Sequence, residues 1–349
     1  MDLNFGVVGY GAWGAHHADT ISRTPGARLG SIATSSVDSQ ERAKKAFPAA
    51  EIFSNYHEMF QEKDLDVAAI VLPTYLHEEA SIDALNAGKH VLLEKPMALD
   101  AEGCNRILEA AKKSGKILNV AHEFRFSIQW GAIKNFIEEG RLGDPIYLLI
   151  NLWRRPYRSG RGGWRRDLTK VGSWVMEEPI HFFDLALWYF QNLGDPASIV
   201  ARANSRGMAE GFYDNFSAMM HWPNGSYAVI SQTLGGFEHH KLVELVGTKG
   251  AVRTWWSGPM DRADEASFGL KMIEGLSGGE LFDECVATEI PLSGKSGEIY
   301  ELQELMKNVI SSIHAGKPLV SGEEAKKAVA VCRLAEEAVR LRKEISLRF

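Results

Sequence analysis

The stretch Phe5-Gly6-Val7-Val8-Gly9-Tyr10-Gly11-Ala12-Trp13-Gly14 decides the fold. An apolar run of strand length ends in G-x-G-x-x-G, and a helical segment starts directly after it. In that setting each glycine has a task. The first permits a tight turn, the second lets backbone amides approach a pyrophosphate, and the third allows close packing of helix on strand. The helix N-terminus adds unpaired N–H groups and a partial positive charge, which favour an anion. Gly9, Tyr10, Gly11, Ala12, Trp13 and Gly14 are therefore expected to surround a dinucleotide at the carboxyl end of the first strand.

Further apolar runs recur at 29–33, 67–72, 90–93 and 117–120, with helical stretches in the gaps. That rhythm specifies parallel strands joined by crossover helices. Asp38 with Glu41 reads as a capping box before a helix, and Asp100 as the cap of a helix that carries Ile107, Leu108 and Ala111 and stops at Gly115. Residues 1–121 are expected to form an α/β, doubly wound Rossmann dinucleotide-binding domain. Past residue 122 the alternation ends. A helix bearing Ile128, Ile133, Phe136 and Ile137 stops at Gly140, and strand-like runs follow at 146–153, 199–203, 216–221, 227–233, 242–246 and 251–255. Strand after strand across turns such as Pro223-Asn224-Gly225 implies antiparallel pairing. Residues 122–349 are expected to be an α+β domain with a large, mainly antiparallel open sheet for substrate and subunit contacts. The last helix, capped by Ser321 and Glu324, is expected to pack back on the first domain.

The chain has 349 residues, enough for about two domains. Its 45% hydrophobic and 24% charged composition excludes a mainly disordered state. Lys plus Arg is 39 against 45 for Asp plus Glu, a formal charge of −6, which argues against nucleic acid as a partner. Cys104, Cys285 and Cys332 suit neither a disulfide framework nor a metal-ligand pair, so a reducing, cytoplasmic setting is expected. The first residues lack the basic flank of a secretory signal. The longest uncharged stretch, 216–237, is punctuated by Pro223, Gly225, Gly235 and Gly236, so no membrane span is expected.

An acid about 20 residues beyond the glycines would bond the adenosine ribose of NAD. Here that position reads Ala33-Thr34-Ser35-Ser36, and no carboxylate precedes Asp38. The hydroxyls of Thr34, Ser35 and Ser36 and the guanidinium of Arg42 suit a 2′-phosphate, so the cofactor is read as NAD(P), leaning to NADP. The alternative is that Ser35 and Ser36 form a turn and Asp38 serves NAD.

Glu94-Lys95-Pro96 follows the run at 90–93, at the rim where open α/β sheets bind ligands. A lysine there, beside an oxidised nicotinamide, has its pKa lowered towards the range useful for proton transfer. Together with the glycine fingerprint and the segment Glu177-Glu178-Pro179-Ile180-His181, this triplet resembles the glucose-fructose oxidoreductase and inositol dehydrogenase family (Gfo/Idh/MocA) over nearly the whole chain. The resemblance implies reversible hydride transfer between a nicotinamide and a secondary alcohol carbon of a sugar or polyol. It assigns catalysis to Lys95 and His181 and a substrate-hydroxyl contact to Glu177, which stands where the family commonly has aspartate. It also implies that Leu72, Pro73, Thr74 and His77 lie near the dinucleotide with Glu94 and Lys95, Thr74 standing where asparagine is common. Arg125 matches an arginine that faces substrate or pairs with Glu123, and subunits are expected to form a homodimer or homotetramer.

Between Arg154 and Arg166 six arginines fall within thirteen residues, interleaved with Tyr157, Trp164 and glycines. Aromatic rings suit a pyranose face and arginine forks grip an anion, so Arg154, Arg158, Trp164 and Arg165 are candidate contacts for a uronate- or sulfonate-bearing sugar. The alternative is a solvated basic loop, or a subunit contact in which the arginines meet Asp and Glu. His239 and His240 would point to opposite faces of a strand, so no metal is expected there. Two other readings stay open: a glycosidase that oxidises a ring carbon transiently, and a non-catalytic nucleotide-sensing regulator on the same fold.

Overall fold

The computed structural model describes residues 2–207, 211–263, 265–275 and 286–349. Cys285 lies outside them. Two compact units emerge: one of Met1–Glu123, Thr169–Gly172 and Leu302–Val329, the other of Phe124–Leu168, Ser173–Glu301 and Ala330–Phe349.

In the first unit β1 (Leu3–Val8), α1 (Ala12–Arg23), β2 (Ala27–Ala33), α2 (Val37–Ala46), β3 (Glu51–Phe53), α3 (Tyr56–Phe60), β4 (Val67–Ile70), α4 (His77–Asn86), β5 (His90–Glu94), α5 (Ala101–Ser114) and β6 (Leu118–Ala121) follow one another. Their strands form one sheet in the order β3-β2-β1-β4-β5-β6, every pair parallel. Phe5, Val7 and all of β4 are fully buried, as parallel strands covered on both faces must be. β3 had no apolar run to announce it, since Glu51-Ile52-Phe53 is an outer strand with exposed or half-buried side chains. The order reverses between β1 and β4, which opens a crevice at their carboxyl ends.

Local signals hold for α5: the Asp100 carboxylate accepts from Gly103 N–H at 2.8 Å, and Gly115 closes the helix at φ 66°. They need correcting at α2. Ser36 is the cap, its oxygen accepting from Ser39 N–H at 3.4 Å, and Asp38 lies inside the first turn. The longer helix buries Ser39 and Ala43.

The second unit contains α6 (Trp130–Glu138), β7 (Pro145–Trp153), the start of α7 (Leu168–Val171), α8 (Pro179–Tyr189), β8 (Ser198–Asn204), β9 (Asn215–His221), β10 (Tyr227–Thr233), β11 (His239–Gly247), β12 (Gly250–Gly258), β13 (Ser267–Glu274) and β14 (Thr288–Glu289). With β15 (Ile345–Ser346) they build a nine-stranded sheet, β14-β13-β12-β11-β7-β10-β9-β8-β15. All pairs are antiparallel except β7 with β10, between which the chain makes the long excursion a parallel pair requires. Side chains alternate strictly: Ala228, Ile230 and Gln232 are buried, while Tyr227, Val229 and Ser231 are half-buried on the other face. α8 packs on β7 and β10. It is apolar nearly all round and buried, so each polar residue in it needs a partner.

The last helices are α9 (Glu298–Ala315) and α10 (Gly322–Leu341). Ser321 and Glu324 form the expected capping box, with the Glu324 carboxylate accepting from Ser321 N–H at 3.0 Å. Within the first unit this part of the chain closes the outer strand β6. Val120 N–H donates to Val320 O at 3.3 Å, while the Asn119 side chain donates to Ser312 Oγ at 3.0 Å and accepts from Leu319 N–H at 2.7 Å. An unpaired sheet edge is thereby covered. Among the described residues no helix is long and apolar enough to cross a membrane.

Candidate active site

The phosphate turn is built from backbone. Gly9 has φ 96°, and a Cβ there would lie 2.3 Å from Val71 O; one on Gly14 would lie 2.0 Å from Gly9 O. Both positions therefore exclude side chains. A Cβ on Gly11 would meet nothing within 4 Å, so the space above the second glycine is open. Gly11 caps α1 without any side-chain hydrogen bond, and no acid sits in the first turn. Open space beside uncapped N–H groups fits a pyrophosphate, which Gly9, Gly11, Ala12 and Gly14 would hold. The two aromatic residues of the motif act differently. Tyr10 is buried edge-on to Phe47, and Trp13 Nε1–H donates to the Glu94 carboxylate at 2.8 Å.

At the end of β2, Thr34 N–H donates to Phe53 O at 3.0 Å, Ser35 is exposed, and Ser36 is committed to capping α2. Arg42 donates to Asp38 at 3.1 Å and to Ser39 Oγ at 2.8 Å, with its guanidinium 5.8 Å from the Tyr10 ring centroid. Arg42 is thus held beside the glycine turn and pairs with Asp38 on the exposed side of α2.

Next to β4, Leu72 and Pro73 are half-buried and Thr74 is buried. His77 is a strut across this rim: its Nε2 lies 2.8 Å from Leu72 O and its Nδ1 2.7 Å from Pro96 O. Burial holds its pKa below the ordinary imidazole value, against the pull of the two carbonyls. Lys95, half-buried, stands at the carboxyl end of β5. Its neighbour Glu94 is buried and accepts from Trp13, from Lys95 N–H at 3.2 Å, and shares a 2.7 Å contact with His17 Nε2. Burial raises the Glu94 pKa, but the His17 bond and charge, Lys95 and Trp13 outweigh it and keep the carboxylate below its usual value. One anion therefore ties the glycine-turn helix to the strand that carries Lys95.

In the second unit the buried His181 ring stacks on Phe124, centroids 4.3 Å apart and planes at 19°. Arg125 makes a two-pronged ion pair with Asp184 at 2.8 and 2.7 Å and lies 5.2 Å from the Trp188 ring. Both partners are buried, so Arg125 braces α8 with its guanidinium. Glu177 accepts from Arg165 at 2.8 Å, and Arg165 lies 4.4 Å from the Trp164 ring. Arg154 is ion-paired with Glu178, lies 3.7 Å from Asp261 and sits over Tyr157. Of the arginine-rich segment, Arg158, Arg161 and Arg166 remain exposed and without an ion pair among the described residues.

Sequence reasoning missed Lys241. It lies on the buried face of β11, 3.4 Å from Glu178 and 3.2 Å from Glu298, with its ammonium 4.5 Å from the Phe124 centroid. The alternation His239-His240-Lys241-Leu242-Val243 would have placed it inward with Val243. His239 is fully buried and pushed down to about 4 by burial and the Arg154 charge, while His240 faces the other way, 2.6 Å from Ser257 Oγ. Elsewhere among the described residues, His57, Glu79 and Asp83 bring donor atoms within 4.8 Å of one another on α3 and α4. His57 Nδ1 lies 3.4 Å from the Asp83 carboxylate there.

Comparison with known proteins bears on the fold and the family. Residues 3–122 match the family described as oxidoreductase family, NAD-binding Rossmann fold, and residues 130–253 match the GFO/IDH/MocA C-terminal domain. The chain is similar to myo-inositol 2-dehydrogenase of Thermotoga maritima, 24% identical over 99% of this chain and 98% of the relative. It is 32% identical to 1-carboxy-3-chloro-3,4-dihydroxycyclohexa-1,5-diene dehydrogenase of Comamonas testosteroni over 63% of this chain and 55% of that one. A solved structure of levoglucosan dehydrogenase in complex with NADH has the same fold, with TM-score 0.86 at 18% identity and full coverage of both chains. From the glycine turn, the parallel order of the first sheet and both matched domains, the chain belongs to the GFO/IDH/MocA family of oxidoreductases with an NAD-binding Rossmann fold.

Proposed function

We propose that this protein is a dehydrogenase, or the reductase running in reverse, acting on a secondary alcohol carbon of a sugar, sugar acid or polyol. One observation carries the reading: the pyrophosphate cradle and Lys95 stand on the carboxyl rim of the same parallel sheet, joined through Glu94. Relatives named for inositol and for a dihydroxy ring acid support the substrate class. A bound nicotinamide supplies hydride acceptance and donation. The chain's own residues do the rest. Lys95 and His181 share proton transfer at the reacting hydroxyl, Glu177, set in place by Arg165, contacts a substrate hydroxyl, and the Glu94 carboxylate orients the strand end that bears Lys95.

The finer assignments follow from chemistry. The cofactor is NADP in preference, because the exposed Ser35 hydroxyl follows β2 and the Arg42 guanidinium, paired with Asp38, is held beside the glycine turn. Exposed Arg158, Arg161 and Arg166 suit an anionic sugar, and a relative named for a carboxyl-bearing compound points the same way. Arg125 is reassigned from substrate contact to bracing α8. The chain works as a homodimer or homotetramer in a reducing cytoplasm, where the buried thiols Cys104 and Cys332 stay free.

Cofactor reduction should be measured with NAD and NADP at matched concentrations against neutral polyols, aldoses, aldonates and uronates. Net reduction with an acidic sugar, faster with NADP, is expected. A Lys95→Ala variant should still bind dinucleotide, read by tryptophan fluorescence, and lose ~10²–10⁴-fold in kcat. Near-normal turnover in that variant would refute the assignment.

A further inference from the structure

We propose that Lys241 is a positioning residue for His181, acting through the Phe124 ring and through Glu178. The inference rests on the reading above that His181 is an acid/base group of the reaction.

Lys241 reaches the seat of His181 from two directions. Its ammonium is 4.5 Å from the centroid of the Phe124 ring, the ring on which the His181 imidazole lies at 4.3 Å and 19°. The same ammonium is 3.4 Å from the carboxylate of Glu178, whose backbone carbonyl accepts from His181 N–H at 3.1 Å. Glu178 immediately precedes α8, so fixing it fixes the first turn of the helix on which His181 stands. The cation also makes the ring a better-defined surface, since an ammonium over an aromatic face is attracted by its quadrupole and resists sideways movement of the ring.

Stability alone does not ask for a lysine here. Lys241 shares the buried face of β11 with Val243 and Leu245, and a leucine or methionine would fill that place without a charge to desolvate. Instead the fold surrounds it with compensation. Glu178 pairs with Lys241 and Arg154, Glu298 with Lys241 and Arg262, and Asp261 with Arg154. Three cations thus face three carboxylates, a balance that holds while His239 and Glu301 are neutral. Such a network, anchored on a central strand between β7 and β12, gives the imidazole a rigid support rather than a mobile one.

The neighbouring pair Arg125–Asp184 braces the same assembly one helical turn further on, since Arg125 adjoins Phe124 and Asp184 is three residues beyond His181. Lys241 and this pair therefore hold the ring and the helix through contacts from different elements. Lys241 itself needs no contact with substrate to act.

The experiment uses the full-length protein carrying Lys241→Met, Lys241→Arg and Phe124→Leu, with His181→Gln to identify the His181 signal among imidazole carbon–proton resonances. Stacking on Phe124 shifts the His181 signal upfield by ring current, so Phe124→Leu should move it downfield. Lys241→Met should broaden or displace it, and Lys241→Arg should return it. In kinetics, Phe124→Leu and Lys241→Met are expected to lower kcat ~10–100-fold with KM changed less than about threefold, and Lys241→Arg to recover most of the loss. Phe124→Leu leaves every charge paired, so it decides the matter if Lys241→Met does not fold. An unmoved His181 signal in Phe124→Leu overturns the proposal by itself, as does a moved signal with unchanged kcat or a Lys241→Arg enzyme as poor as Lys241→Met. Absence of turnover by the unaltered protein on every alcohol would instead sink the functional reading and the catalytic half of this one, leaving the resonance to decide the placement.

Discussion

Single atoms decide the cofactor turn. A methyl group on Gly14 would press on Gly9 O, a backbone atom that cannot yield, whereas one on Gly11 enters open space. The two substitutions therefore separate folding from binding. Gly14→Ala is expected to destabilise the first unit by ~1–3 kcal/mol. Gly11→Ala should cost less, roughly 0.5–1 kcal/mol for the poorer helix cap, and weaken dinucleotide affinity as well, because the methyl occupies the room a pyrophosphate needs. Thermal melts with and without dinucleotide check both. A Gly11→Ala protein whose Tm still rises as far with cofactor as the unaltered chain's would show that the space above this glycine is not where the phosphates lie. Residues of this kind were legible beforehand, since glycine spacing reports a backbone need directly. Lys241 and Phe124 were not, because nothing local marks a lysine on an inward strand face as the partner of a helix far along the chain.

At the scale of elements, the first turn of α9 carries a titration. Glu301 is buried and its pKa is pushed up to about 7 by burial, against the pull of Lys241 and a hydrogen bond with Ser127. A carboxyl group whose folded pKa lies above its ordinary 4.5 binds more protons folded than unfolded in the window between the two values. Stability from this group is therefore complete near pH 4.5 and falls as pH rises through about 7, by roughly 3 kcal/mol over the whole window. Glu301→Gln keeps the neutral shape and removes the titration. Its Tm relative to the unaltered chain should improve steadily from pH 5 to pH 8, and a difference that stays flat over that range would contradict a neutral Glu301. Element types were largely readable from periodicity and caps, as α5 and α10 illustrate. The start of α2 was not, because Ser36 and Asp38 are both good capping residues and only the packing of Ser39 and Ala43 chooses between them.

At the scale of the whole molecule, the nine-stranded sheet has one buried face and one that is only partly covered. Tyr147, Leu149, Met219, Val229, Leu242 and Trp255 lie half-buried across it, and in register Leu149 adjoins Val229, which adjoins Met219. On this face the proposed subunit contact would bury apolar area. Sedimentation should find a dimer or tetramer, and the double substitution Leu149→Glu with Val229→Glu should yield a monomer that still binds dinucleotide, whose cradle lies in the other unit. A monomeric unaltered protein would remove this face as a subunit contact. The grouping of 302–329 with the first unit belongs to this scale as well, for β6 ends as a covered strand only because Val320, Leu319 and Ser312 return to it.

By itself the sequence determined the alternation of strands and helices, the phosphate turn, the inward and outward faces of the second sheet, and the rim that bears Lys95. These are written in periods of two and of 3.6 and in turn chemistry, all within reach of a few neighbouring residues. Only the tertiary structure decided that Arg125 belongs to Asp184, that Arg154 and Lys241 share Glu178, that β10 runs parallel to β7, and that Ser312, Leu319 and Val320 cover the outer strand of the first sheet. A charge carries no local sign of which distant opposite charge will meet it once both have left water. That choice is made by the packing of whole elements, since a buried charge is tolerated only where the fold brings its partner.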